Sequence, residues 1–182
     1  MKGVSFWIKK ARSTSLMQSV MPAIVAVVLA ANAPDFSLWA AVISVLGVAA
    51  AHLGMNLADD YFDYKVGTSE SRKHLVRQGF RARLVKYPYL TDGSASVRDL
   101  KLAIVLFLAF AAVLGGCIIA FRSWYVIPIV LVTLFLGIFY SAEPLKLSYR
   151  GLGELVIGLI FGPLLMSGIY IAWSGVFDTA VL

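Results

Sequence analysis

From Leu102 to Phe121 the chain runs 20 residues without one charged or amide side chain. A run of that length matches the roughly 20 apolar residues that carry a helix across the hydrocarbon core of a bilayer. Comparable apolar stretches cover Leu16 to Ala31, Leu38 to Leu53, Tyr125 to Tyr140 and Glu154 to Trp173. Inside a bilayer each span must satisfy its own backbone hydrogen bonds, which leaves helices or a closed barrel, and long unbroken runs select helices. The expectation is an all-α polytopic transmembrane helix bundle of about five spans, forming one domain over residues 1–182, with a basic loop over 64–101. Pro22, Pro128 and Gly162-Pro163 mark expected kinks in the first, fourth and fifth spans. Composition agrees, because 60% hydrophobic and 14% charged residues exclude a soluble globular domain. The single cysteine, Cys117, lies in an apolar run and carries no information about redox compartment.

The net charge of +6 is unevenly placed. Fifteen of the sixteen Lys and Arg residues fall before the first span, after the second or after the fourth, and only Arg122 falls on the opposite side. The positive-inside rule makes all three basic regions, and the N-terminus, cytoplasmic. Cations bordering membrane spans speak for topology and anionic phosphates rather than nucleic acid. Met1 to Ser15, with Phe6 and Trp7 among Lys2, Lys9, Lys10 and Arg12, reads as an amphipathic lead-in at the interface rather than a secretory signal.

The second span runs on into Asn56-Leu57-Ala58-Asp59-Asp60-Tyr61-Phe62-Asp63. Asn56, Asp59, Asp60 and Asp63 stand at i, i+3, i+4 and i+7, so a helix stacks three carboxylates and an amide along one face at the end of a span. Ionisable groups at that depth are costly and point to function. A hard divalent cation relieves the repulsion, and Mg²⁺ suits such an edge because it takes one or two carboxylates and shares a substrate's phosphates. The convergence of this face with the two basic cytoplasmic loops matches a multiply anionic ligand such as a diphosphate. Arg72, Lys73 and Arg77 are candidate diphosphate contacts, weighed evenly against a purely topological role. Tyr140, at the membrane edge, stands between shielding an allylic cation and anchoring the helix. Glu143 and Glu154 read as helix-start acids or as a base, and His52 as an interhelical histidine or a partner of the acidic face. An ion-coupled transporter is the competing class, but it calls for acidic groups near the midplane and an internal repeat.

Asn56 to Gly67 resembles the first aspartate-rich motif of the UbiA superfamily of intramembrane prenyltransferases. It is most similar to the branch that prenylates 1,4-dihydroxy-2-naphthoate in menaquinone synthesis. Leu90-Thr91-Asp92-Gly93-Ser94-Ala95-Ser96 resembles that family's stretch before the third span. Tyr140 to Lys146 and Tyr149 to Glu154 resemble its loop between the fourth and fifth spans. The resemblance implies that Asp60 and Asp63 are metal-binding and catalytic; Asp59 is expected as a further metal ligand and Asn56 as a diphosphate contact. Asp59 stands where the family commonly has asparagine. It also implies diphosphate contacts at Lys146 and Arg150, and Mg²⁺-dependent transfer of a polyprenyl group from an allylic diphosphate to an aromatic acceptor in a prokaryotic inner membrane. Other branches, using acceptors such as 4-hydroxybenzoate, share the first motif. The family has about nine helices and a second aspartate motif, so the expectation is an N-terminal portion. It would be completed by further chain or by a partner chain supplying that motif, with little activity alone, or it would be a non-catalytic membrane subunit.

Overall fold

A computed structural model describes residues 2–31, 36–67 and 87–175. Among these there is no strand. The helices are α1 (Val4–Lys10), α2 (Met17–Ala30), α3 (Leu38–Val66), the short α4 (Pro88–Thr91), α5 (Val97–Phe121), α6 (Val126–Ser141) and α7 (Gly153–Ser174). Tight 3-10 turns at Ser13–Leu16 and Leu147–Arg150 lead into α2 and towards α7. Four segments are long and apolar enough to cross a membrane: Ser13–Ala30, α3, α5 and α7. The fourth expected span, α6, is apolar but has only 16 residues, about 24 Å of helix. Its ends still meet both ends of the bundle. Ser141 donates to the Asp59 carboxylate, and Ser123, just before α6, donates to the Gly175 carbonyl beyond α7.

Local chemistry sets the helix ends. Ser96 accepts from the Asp99 amide at 3.1 Å while the Asp99 carboxylate accepts from the Ser96 amide at 3.3 Å, a capping box that starts α5 ahead of its apolar run. α3 ends at Gly67, whose φ of 71° is left-handed and whose amide reaches the Asp63 and Tyr64 carbonyls. The expected loop over 64–101 is therefore narrower than the sequence suggested. Residues 64–66 belong to α3, 88–91 to α4 and 97–101 to α5, while 68–86 lie outside the described residues. Pro128 produces no mid-helix kink, because it falls in the first turn of α6, where an amide has no intrahelical partner in any case. The break in α7 stands where Gly162-Pro163 placed it: Gly162 leaves helical geometry within a π turn, Ile160–Leu164.

α3 is the central helix, packed along α5 and also touching α2, α6 and α7. It packs tightly at Gly54, where an added Cβ would lie 2.8 Å from Leu108 Cδ2. Buried side chains form two clusters. Ala23, Ala26, Ala30, Ala40, Ile171 and Trp173 let α2, α3 and α7 approach closely at one end. Trp7, Leu53, Leu57, Tyr89, Leu100 and Ala103 fill the other end, around the acidic stretch of α3. The outer faces remain apolar: Val105, Val113 and Leu131 are 60%, 63% and 59% exposed. Surface of that kind is stable against lipid, not water, and the chain is an integral, multi-pass membrane protein.

Candidate functional site

Helical spacing puts Asn56, Asp59, Asp60 and Asp63 on one edge of the last turns of α3. Asp60 and Asp63 are each 1% exposed. Buried charge persists only where it is paired and hydrogen-bonded, and each carboxylate here has partners from other elements. Asp60 takes Arg12 Nη2 on Oδ1 at 2.6 Å and the Tyr89 hydroxyl on Oδ2 at 2.9 Å. Asp59 takes the same Arg12 nitrogen on Oδ2 at 3.0 Å and the Ser141 hydroxyl on Oδ1. Asp63 accepts from the Tyr149 hydroxyl. Asn56 donates to the Ala11 carbonyl at 2.9 Å and to Ser15 Oγ at 3.0 Å, and its own carbonyl accepts from Arg12 at 3.2 Å. The α1–α2 junction, α4, the end of α6 and the turn before α7 thus converge on one edge of α3.

Among the described residues Arg12 is the cation that pairs with this edge. Its backbone is left-handed, with φ 58° and ψ 53°, a conformation uncommon for a residue with a side chain. Burial alone would lower its pKa, but Asp60 and then Asp59 more than offset that and raise it. Burial, followed by the Asp60 charge, pushes the Tyr89 hydroxyl well above its usual range, so it stays protonated and donates.

One turn deeper, His52 bonds Ser19 at 2.8 Å and Ser15 at 3.1 Å, and its ring stacks on Phe161 at 5.0 Å, beside the break in α7. It is a satisfied interhelical histidine, tied to Asn56 through the shared Ser15 hydroxyl.

The other expected residues divide. Arg72, Lys73 and Arg77 lie outside the described residues. Lys146 pairs with Glu143 at 2.6 Å, which holds that carboxyl below its usual range, and Arg150 donates to the Pro144 carbonyl at 3.3 Å. Both sit on the turn that carries Tyr149, so this loop does reach the aspartate edge, but through its phenol. Tyr140 is half-buried directly before Ser141, and its carbonyl accepts from Ser148 at 2.7 Å. Glu154 lies in the first turn of α7, where a negative charge is favourable.

Arg12, Tyr89, Ser141 and Tyr149 escaped the sequence reading. One signal for Arg12 was available: three carboxylates at membrane depth demand a cation, and a basic residue stood at the mouth of the neighbouring span. The donor set offers only hard oxygens along one helix edge. Among the described residues no group of three or more His, Cys, Asp or Glu side chains is arranged so that it could hold a metal ion by itself. An open edge of that chemistry fits Mg²⁺ held by one or two carboxylates with the remaining ligands from water and phosphate.

The sequence profile of the UbiA prenyltransferase family matches residues 19–182. The chain is 32% identical over 130 residues to a 2-carboxy-1,4-naphthoquinone phytyltransferase of Synechocystis, covering 70% of this chain and 38% of that protein. It is 28% identical over 156 residues to a 1,4-dihydroxy-2-naphthoate octaprenyltransferase of Bacillus subtilis, covering 83% and 45%. A protein of the same name from Mycobacterium tuberculosis is 25% identical over 162 residues, covering 89% and 52%. The chain thus spans about half the length of these relatives, or less. No solved structure matches it.

Proposed function

The chain belongs to the UbiA prenyltransferase family, and on that premise we propose that it serves transfer of a polyprenyl group from an allylic diphosphate to an aromatic acceptor of the naphthoate type. The observation that carries this reading is the edge of α3, where Asp60 and Asp63 are buried at the end of a membrane-spanning helix amid hydroxyl and guanidinium donors. Asp60 and Asp63, with Asp59 beside them, are the residues that would hold Mg²⁺, and Asn56 borders the same seat. When bound, the ion supplies Lewis-acid stabilisation of a departing diphosphate. The chain's own contribution is to orient the carboxylates. Tyr89 and Ser141 fix the rotamers of Asp60 and Asp59, and Tyr149 brings the loop of Lys146 and Arg150 to the same edge, where those cations meet the diphosphate. In this reading the apolar helix faces house the isoprenoid, and Tyr140, directly before Ser141, is the aromatic residue assigned to shield an allylic cation. In the transfer the allylic C–O bond breaks, a ring carbon of the acceptor forms the new C–C bond, and the ring loses a proton. The naphthoate acceptor and a prokaryotic inner membrane rest on the relatives' names, and the cytoplasmic placement of the site rests on the charge asymmetry of the loops.

The test offers membranes from cells expressing the native gene, together with any sequence or partner chain that completes the site, a labelled polyprenyl diphosphate, Mg²⁺ and an equimolar mixture of 1,4-dihydroxy-2-naphthoate and 4-hydroxybenzoate. Prenylated naphthoate, lost on Asp63→Ala, is expected. Product formed equally by Asp63→Ala removes the aspartate edge from the reaction, and prenylated benzoate overturns the acceptor.

A further inference from the structure

We propose that Arg12 is a resident counter-ion that a divalent cation must displace, and that its displacement frees α1 from the aspartate edge. This rests on the reading that Asp59, Asp60 and Asp63 hold such a cation.

The guanidinium occupies the position of a point charge. A single nitrogen, Nη2, serves Asp60 Oδ1, Asp59 Oδ2 and the Asn56 backbone carbonyl, while the buried Nε has no hydrogen-bond partner among the described residues. That is not the two-pronged fork in which arginine holds a carboxylate most firmly. Arg12 bridges two neighbouring carboxylates as an ion does, and leaves one of its own donors unused. A metal ion and this nitrogen would compete for the same oxygens, and two cations on one carboxylate oxygen repel.

The same atoms dock α1. Besides Arg12, the junction after α1 is held by Asn56 Nδ2 on the Ala11 carbonyl. Trp7 of α1 packs edge-on against Tyr89, with ring centroids 5.9 Å apart, and Tyr89 in turn holds Asp60. Asn56 and Asp60 are therefore both proposed site residues and the docking surface of α1. Arg12 reaches them from a left-handed backbone, a conformation disfavoured for arginine that relaxes when the contact is released. Filling the seat with metal and keeping α1 docked are opposed states of one element, so each weakens the other by the same factor.

The experiment measures Mn²⁺ binding by electron paramagnetic resonance, and amide hydrogen exchange over residues 4–12, on the chain in nanodiscs. Arg12→Gln is expected to bind Mn²⁺ about tenfold more tightly than the native chain. Arg12→Lys, which keeps the charge, is expected to stay near the native affinity. In the native chain, which needs no variant, Mn²⁺ is expected to speed exchange in α1. Equal affinities that are both lost on Asp63→Asn would overturn the role of Arg12 and leave the metal site standing. Exchange in α1 that slows or does not change with Mn²⁺ would do the same. No Mn²⁺ binding to either the native chain or Arg12→Gln would overturn both.

Discussion

Among the described residues Asp60 accepts from a guanidinium on one oxygen and a phenol on the other, and only 1% of it is exposed to solvent that could replace them. Asp60→Asn keeps the shape but strands Arg12 with one carboxylate and sets an amide against donors. The expected cost is about 1–3 kcal/mol, below the figure for a fully buried pair because the Arg12 side chain is 32% exposed. Thermal unfolding in detergent checks this, and an unchanged midpoint would mean that the pair contributes nothing to stability. Tyr89→Phe removes one hydrogen bond and should cost about 0.5–1.5 kcal/mol in the same assay. The acidic edge was legible in the sequence because its four residues obey one helical period. Its partners were not, because periodicity reads along a single helix. Arg12 lies 48 residues from Asp60 in the chain, and Tyr149 lies 86 from Asp63. Such pairs form only through the tertiary arrangement, so the compensating cation was assigned to a metal alone.

The helices themselves were legible from their apolar runs, since a bilayer admits few alternatives to a helix. Their ends were less so, because capping decides them: the Ser96–Asp99 box extends α5 and Gly67 terminates α3. Pro128 illustrates the same limit, for a proline's effect depends on which turn it occupies. The sharpest packing constraint between elements is Gly54 against Leu108. Gly54→Ala gains helix propensity, but its Cβ would lie 2.8 and 3.0 Å from Leu108 Cδ2 and Cγ and 3.3 Å from Phe107 Cβ, so α5 must give way and the net cost should be about 1 kcal/mol. Gly54→Val adds branches that Leu108 and Phe107 cannot both evade, and should destabilise by about 1–3 kcal/mol. Unfolding of the purified protein in detergent separates the two. A valine variant as stable as the native chain would show that α3 and α5 pack less closely than described.

At the scale of the whole molecule, alternating helix direction gathers Arg12, the aspartates, Tyr89, Ser141 and Tyr149 at one end, and Arg122, Trp173 and Gly175 at the other. Loop charge then predicts which end faces the cytoplasm. In a Cys117→Ala background, a membrane-impermeant maleimide should label Trp124→Cys in intact cells and Thr91→Cys only after permeabilisation. The reverse pattern would place the aspartate edge outside. The central claim, however, is that this edge seats a diphosphate through a divalent cation. Its most direct test is the binding of radiolabelled farnesyl thiodiphosphate to the purified chain in nanodiscs, with Mg²⁺ or with EDTA. Binding that requires Mg²⁺, is competed by inorganic diphosphate and falls about tenfold or more in Asp63→Asn is the predicted result. Binding indifferent to both EDTA and Asp63→Asn would contradict it.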